Sequence, residues 1–127
     1  MKYNKIVERH FFAPKNILNV DQDINGLSKT SLGSKDLGDA MDIFISCDKG
    51  TDSINSLYYN VYGNPYLIAS LSYIAEKISG LTIDEALEIS SETLITDLEI
   101  PQTKHYCAYM VEDALKKSIK TYREQYV

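Results

Sequence analysis

Soft metal ligands and backbone breakers are scarce in this sequence. Among 127 residues there are two cysteines, Cys47 and Cys107, two histidines, His10 and His105, three prolines and no tryptophan. So few thiols exclude a disulfide-dense secreted scaffold, and neither cysteine has a partner at zinc-finger spacing. A small site completed by carboxylates, zinc included, stays open. Basic residues are short as well: thirteen Lys and Arg stand against eighteen Asp and Glu, a formal charge of −5. That balance argues against a nucleic-acid partner, which needs clustered cations to displace phosphate counterions. No stretch approaches the roughly 20 apolar residues that span a bilayer, and the opening Met1–His10 has no apolar run of signal-peptide type. The expectation is a cytoplasmic protein with reduced thiols and no membrane partner.

What is present supports a packed core. Hydrophobic residues make up 44% and charged residues 24%, which suits one domain over residues 1–127 rather than a disordered tail. Tyr3, Ile6, Val7, His10 and Phe11 recur at helical spacing, and Pro14 stops that helix. His10 falls on its apolar face, where a half-buried packing role outweighs a catalytic one. Residues 21 to 38 are polar, with Gly26, Gly33 and Gly38, and read as short strands or loops. Asp39–Asp48 then alternates with Met41, Ile43, Ile45 and Cys47 on one side. Asp48-Lys49-Gly50-Thr51-Asp52 is a turn signal, and Ile54–Tyr62 is a second strand, so the pair predicts an antiparallel hairpin with Cys47 on the core side.

The second half reads as helices. Gly63-Asn64-Pro65 breaks the strand, and Leu67, Leu71, Ile74, Ala75 and Ile78 follow helical spacing up to Gly80. Thr82 and Glu85 have capping-box spacing and open a short helix through Ile89. A further segment covers Glu92–Leu98, and after Pro101 a last helix carries Cys107, Met110, Val111, Ala114, Leu115 and Tyr122 on one stripe. Helix, strands, then helices without βαβ alternation predict an α+β fold, a small antiparallel sheet with helices packed on one face. No catalytic motif accompanies it. Gly33–Gly38 lacks the Lys-Ser/Thr of a phosphate loop, and Asp84, Glu85, Glu88 and Glu92 read as a solvated surface. An enzyme is not expected.

Several segments, in order, resemble the iron–sulfur cluster assembly scaffold family of the IscU or NifU N-terminal type. Tyr3 and Phe12-Ala13-Pro14-Lys15-Asn16 resemble its opening tyrosine and Asn-Pro-Arg-Asn element. Gly38-Asp39-Ala40-Met41 resembles its Cys-Gly-Asp strand from the glycine onward, and Tyr62-Gly63 with Ile68-Ala69-Ser70 the segment around its second cysteine. Gly80 with Asp84-Glu85-Ala86 resembles the next helix entry. Leu98-Glu99-Ile100-Pro101, Lys104, Cys107 and Glu112-Asp113-Ala114 resemble the segment of the third cysteine. The resemblance implies a scaffold that takes sulfur from a cysteine desulfurase and assembles a [2Fe–2S] cluster, with a frataxin-like regulator and an Hsp70-type chaperone pair as further partners.

At the ligand positions this chain departs from the family. Leu37 and Asn64 stand where the first two cysteines are expected, and Tyr106 where a histidine precedes the third. Asp39 and Cys107 are kept, and His105 is the remaining candidate for iron. One thiolate and one carboxylate do not complete the four ligands of such a cluster, so iron and [2Fe–2S] binding is expected to be weakened or lost unless a dimer shares the site. Cys107 is the candidate persulfide acceptor. Lys104, His105 and a helix N-terminus predict a lowered thiol pKa, and simple packing on the last helix is the equal alternative. Tyr3, Pro101 and Lys104 are the implied partner-binding positions. Gln102 and Thr103 stand where the chaperone loop has proline and valine, which argues against chaperone docking. The alternative to a divergent scaffold is a module that docks a desulfurase or another partner and carries no cluster.

Overall fold

Alternating apolar residues build the sheet on which the rest of the molecule packs. The computed structural model describes residues 3–126 apart from 19, 20, 22, 25, 26 and 49. Three strands, β1 (Ser28–Ser34), β2 (Asp39–Asp48) and β3 (Ser53–Tyr62), pair antiparallel in the order β1-β2-β3. The hairpin expected around Asp48–Asp52 joins β2 to β3, although Lys49 lies outside the described residues. Residues 28–34, read from sequence only as polar strand or loop, pair along their whole length with 39–45. Gly26, singled out in that stretch, is also outside the described residues.

Met41, Ile43 and Ile45 of β2 and Leu57 and Tyr59 of β3 are buried on one sheet face. The helices cover that face: α2 (Pro65–Ile78) and α5 (His105–Tyr126) lie against the strands, and α1 (Lys5–Phe12), α3 (Ile83–Leu87) and α4 (Ser91–Leu98) close the sides. The expected stripes Leu67, Leu71, Ile74, Ala75, Ile78 and Cys107, Val111, Ala114, Leu115, Tyr122 all belong to this core, with Met110 at its margin. Thr82 and Glu85 form the reciprocal capping box, and α3 ends at Leu87 with Glu88 as its C-cap rather than running to Ile89. Residues 16–18 run beside β3, with Leu18 N–H donating to the Tyr59 carbonyl at 2.8 Å, so the segment after Pro14 covers an otherwise open edge.

Two sequence expectations change in detail. His10 is fully buried, not half-buried, and Nδ1 lies 2.6 Å from Ser72 Oγ on α2 while Nε2 faces Arg9 Nη2 at 3.0 Å. Ser72 Oγ also accepts the backbone N–H of Lys15 at 2.8 Å, so one hydroxyl ties α1 and the following segment to α2. Cys47 sits beyond a register shift at Ser46/Cys47 and is half-buried against the core edge. Burial, then the nearby Asp52 charge, pushes its thiol up to about 11.

Candidate functional site

At the end of β3 the sequence Gly63-Asn64-Pro65 does more than break a strand. Asn64 is the N-cap of α2: Oδ1 accepts the backbone N–H groups of Tyr66 at 2.8 Å and Leu67 at 3.3 Å, and Pro65 occupies the first helical position, where no N–H is needed. With the oxygen held by the cap, the amide nitrogen faces the start of α5. There Nδ2 donates to Cys107 Sγ at 3.2 Å and to the Tyr106 hydroxyl at 3.1 Å. Cys107, the third residue of α5, is fully buried.

Asp39 opens β2 directly after Gly38, whose φ of 94° places it in the left-handed region. Its carboxylate lies over Gly63: a Cβ added there would meet Asp39 Oδ1 at 2.7 Å and Leu67 Cδ2 at 2.7 Å. Only a residue without a side chain lets the two segments approach this closely. The Tyr106 hydroxyl sits among Asp39, Cys107 and Asn64, and burial, together with its interactions with the Cys107 thiol and the Asp39 carboxylate, pushes it up to about 12. Tyr106 is therefore a neutral phenol at physiological pH.

The electrostatics correct the expectation of a lowered Cys107 pKa. Burial is the largest influence and raises it; the Asp39 charge acts in the same direction. Hydrogen bonds from Asn64 and Tyr106 and the more distant Lys104 ammonium favour the thiolate but do not outweigh desolvation.

The structure thus brings Asp39, Asn64, Tyr106 and Cys107 together. Leu37 ends a 3-10 turn over Lys35–Leu37 beside them and is 84% exposed, offering no donor atom. His105 is turned away, as i, i+2 spacing on a helix requires: its Nε2 lies 3.0 Å from the Ile100 carbonyl oxygen, and the ring lines a cleft with Glu92, Thr96 and Tyr109. Tyr3 precedes α1 and packs edge-on against Tyr66, ring centroids 5.1 Å apart. Pro101 is half-buried before a 3-10 turn over Gln102–Lys104, and the Lys104 ammonium stands 5.9 Å from the Tyr106 ring centroid. Among the described residues no group of three or more His, Cys, Asp or Glu side chains converges to hold a metal ion. Zinc, whose sites take three or four such ligands, gains no support.

The sequence marks Asn64 only as standing where the second cysteine is expected; its bridge to Cys107 comes from the structure. Its signal was there: Asn followed by Pro ahead of an apolar helical stripe is an N-cap and N1 pair, which commits the side-chain oxygen and aims the amide nitrogen elsewhere. The Asn64–Cys107 contact itself spans 43 residues and has no local sequence signature.

A comparison with known proteins decides the family. The description "NifU-like N terminal domain" matches residues 2–127. The chain belongs to this family. Within it, the chain is 33% identical over 123 residues to the "Iron-sulfur cluster assembly protein IscU" of Plasmodium falciparum, covering 97% of this chain and 75% of that protein. It is 30% identical over 125 residues to the "Iron sulfur cluster assembly protein 1, mitochondrial" of Candida glabrata, covering 98% of this chain and 58% of that protein. The fold agrees with the crystal structure of a nitrogen-fixing NifU-like protein (N-terminal) from Brucella abortus, with a TM-score of 0.70 over 95% of this chain and 94% of that one at 15% identity. The sheet-and-helix arrangement expected from sequence is thus that of the family.

Proposed function

We propose that this chain acts in iron–sulfur cluster assembly as a divergent, non-enzymatic scaffold-like domain over residues 1–127, with iron and [2Fe–2S] cargo held weakly or not at all. Membership of the family over nearly the whole chain supports the role in assembly. The observation that carries the divergence is the bonding of Asn64 and Tyr106 to the Cys107 thiol at the end of the sheet. These side chains do not fit a cluster. Leu37 has no donor, the Asn64 oxygen is committed to the α2 cap, and the thiol is buried and protonated.

On this reading Cys107 is the site at which sulfur from a cysteine desulfurase would be accepted, with Tyr3, Pro101 and Lys104 among the docking positions. Asp39 and Cys107 are the residues for any residual iron, and His105 joins them only by leaving the Ile100 carbonyl. The role also requires a reducing compartment in which both thiols stay free.

Anaerobic reconstitution with ferrous iron and sulfide, alongside co-purification with a cysteine desulfurase, tests the reading. A colourless protein that retains the desulfurase is expected. A full cluster complement would overturn the weakened site, and absence of both metal and desulfurase would remove the assembly role. Cys107→Ser should abolish residual metal or persulfide, while Cys47→Ser should not.

A further inference from the structure

The charge of this chain is unevenly spread, and the fold makes use of that. Residues 78–103 carry six carboxylates and no Lys or Arg, whereas residues 114–123 carry four cations and no carboxylate. α3 and its C-cap carry three of the six, Asp84, Glu85 and Glu88, and Asp84 stands beside the second group on α5: Arg123 Nη2 lies 3.3 Å from Asp84 Oδ1. Between the two helices runs a shallow cleft of about 330 Å³, lined by Leu87, Lys116, Ile119, Lys120, Arg123 and Glu124. Ile119 is only 2% exposed and forms its floor with half-buried Leu87. The Lys120 ammonium in this cleft and the Glu88 carboxylate at the end of α3 make no hydrogen bond or ion pair among the described residues.

We propose that two copies of this chain associate across this face, the acidic α3 of each lying on the basic half of the other's α5. The reason for a second copy as the occupant is that the complement of each patch is present next to it on the same chain. A two-fold axis near Leu87 then makes every acid–base contact twice and places the apolar floor at the centre. Glu124 in the cleft and the unpaired Glu88 at the end of α3 disfavour a phosphate backbone or an anionic membrane as the occupant. The contacts are exposed and few, so the dimer is a weak, salt-sensitive one. Ile119 lies twelve positions after Cys107 on α5, about 18 Å along the helix. Dimerisation therefore leaves the Cys107 end open, and this proposal does not depend on the reading of that site.

Sedimentation velocity on the full chain at low and high salt tests it, using two opposite variants, Lys116→Glu/Lys120→Glu and Asp84→Lys/Glu88→Lys. Each alters only exposed side chains, and circular dichroism checks that the fold is kept; Lys120→Glu alone serves if a double variant melts early. The wild-type chain is expected to dimerise at low salt, at least about tenfold more weakly at 0.5 M salt, with each variant alone monomeric. Mixed one to one, the two variants should form a heterodimer, because both halves of the contact regain opposite charge. A wild-type chain monomeric at all salts, a dimer indifferent to both variants, or a mixture that stays monomeric would each overturn the proposal. So would a monomer that instead binds a poly-glutamate peptide at the cleft, which assigns the face to an acidic partner.

Discussion

The side chain of Asn64 joins two helices: its oxygen caps α2 and its nitrogen, 3.2 Å from Cys107 Sγ, holds the first turn of α5. One residue thus sets both a helix start and the environment of the buried thiol, and the two roles separate on substitution. Asn64→Asp keeps an oxygen for the cap, so the melting temperature should change little, but it places a carboxylate against the thiol. Asn64→Ala loses the cap and should cost about 1 to 2 kcal/mol. Thermal melts give the first readout, and the pH dependence of Cys107 alkylation the second, shifting upward in Asn64→Asp. Equal melting of the two variants would separate the cap from this residue.

Both thiols are protonated at neutral pH. Burial raises Cys107 and brings Cys47 to about 11. Since the thiolate is the reacting species, alkylation of each in the folded protein should be slow at pH 7 and still climbing at pH 9.5. Mass spectrometry after timed iodoacetamide exposure resolves the two sites. Tyr106→Ala removes the side chain above Cys107 and should speed its modification selectively, leaving Cys47 unchanged.

His10 makes stability fall in mild acid. Burial, then the adjacent Arg9 charge, lowers its pKa below the ordinary 6.5, with Lys15 adding to this and Glu76 of α2 opposing it. Tyr73 of the same helix stacks edge-on against the ring without altering the sign. The unfolded chain therefore takes up a proton first as pH drops. The native state is unpenalised above about pH 6.5 and loses stability as pH falls from there through the folded pKa. Protonation would place a second cation against Arg9 at Nε2. Melting temperatures between pH 5 and 7.5 should show this slope in the wild type and a flatter one in His10→Gln, whatever that variant's absolute stability.

Gly63 provides the room in which Asp39 sits. Gly63→Ala puts a methyl group 2.7 Å from both Asp39 Oδ1 and Leu67 Cδ2, so one or both must move. A loss of about 1 to 3 kcal/mol is expected, in the range of overpacked sites. Denaturant unfolding measures it, and an unchanged midpoint would show that the carboxylate shifts freely.

Hydrophobic periodicity alone placed β2, the hairpin, α2 and the buried stripe of α5, because local spacing decides which side chains can share a face. The Thr82–Glu85 cap was readable for the same reason, both partners lying within one turn. The order of motifs along the chain was enough to mark the family and the substituted positions 37, 64 and 106. Tertiary structure decided what those positions do. It turned Asn64 from a missing ligand into a bond to Cys107, made Tyr106 a neutral roof over the thiol, and sent His105 to the Ile100 carbonyl instead. It also reversed the expected direction of the Cys107 pKa, since nearby cations can be counted in sequence whereas desolvation depends on which distant segments close over an atom. Scarcity of thiols was visible from the start; that the one surviving site thiol is sealed by an amide and a phenol required the chain to fold.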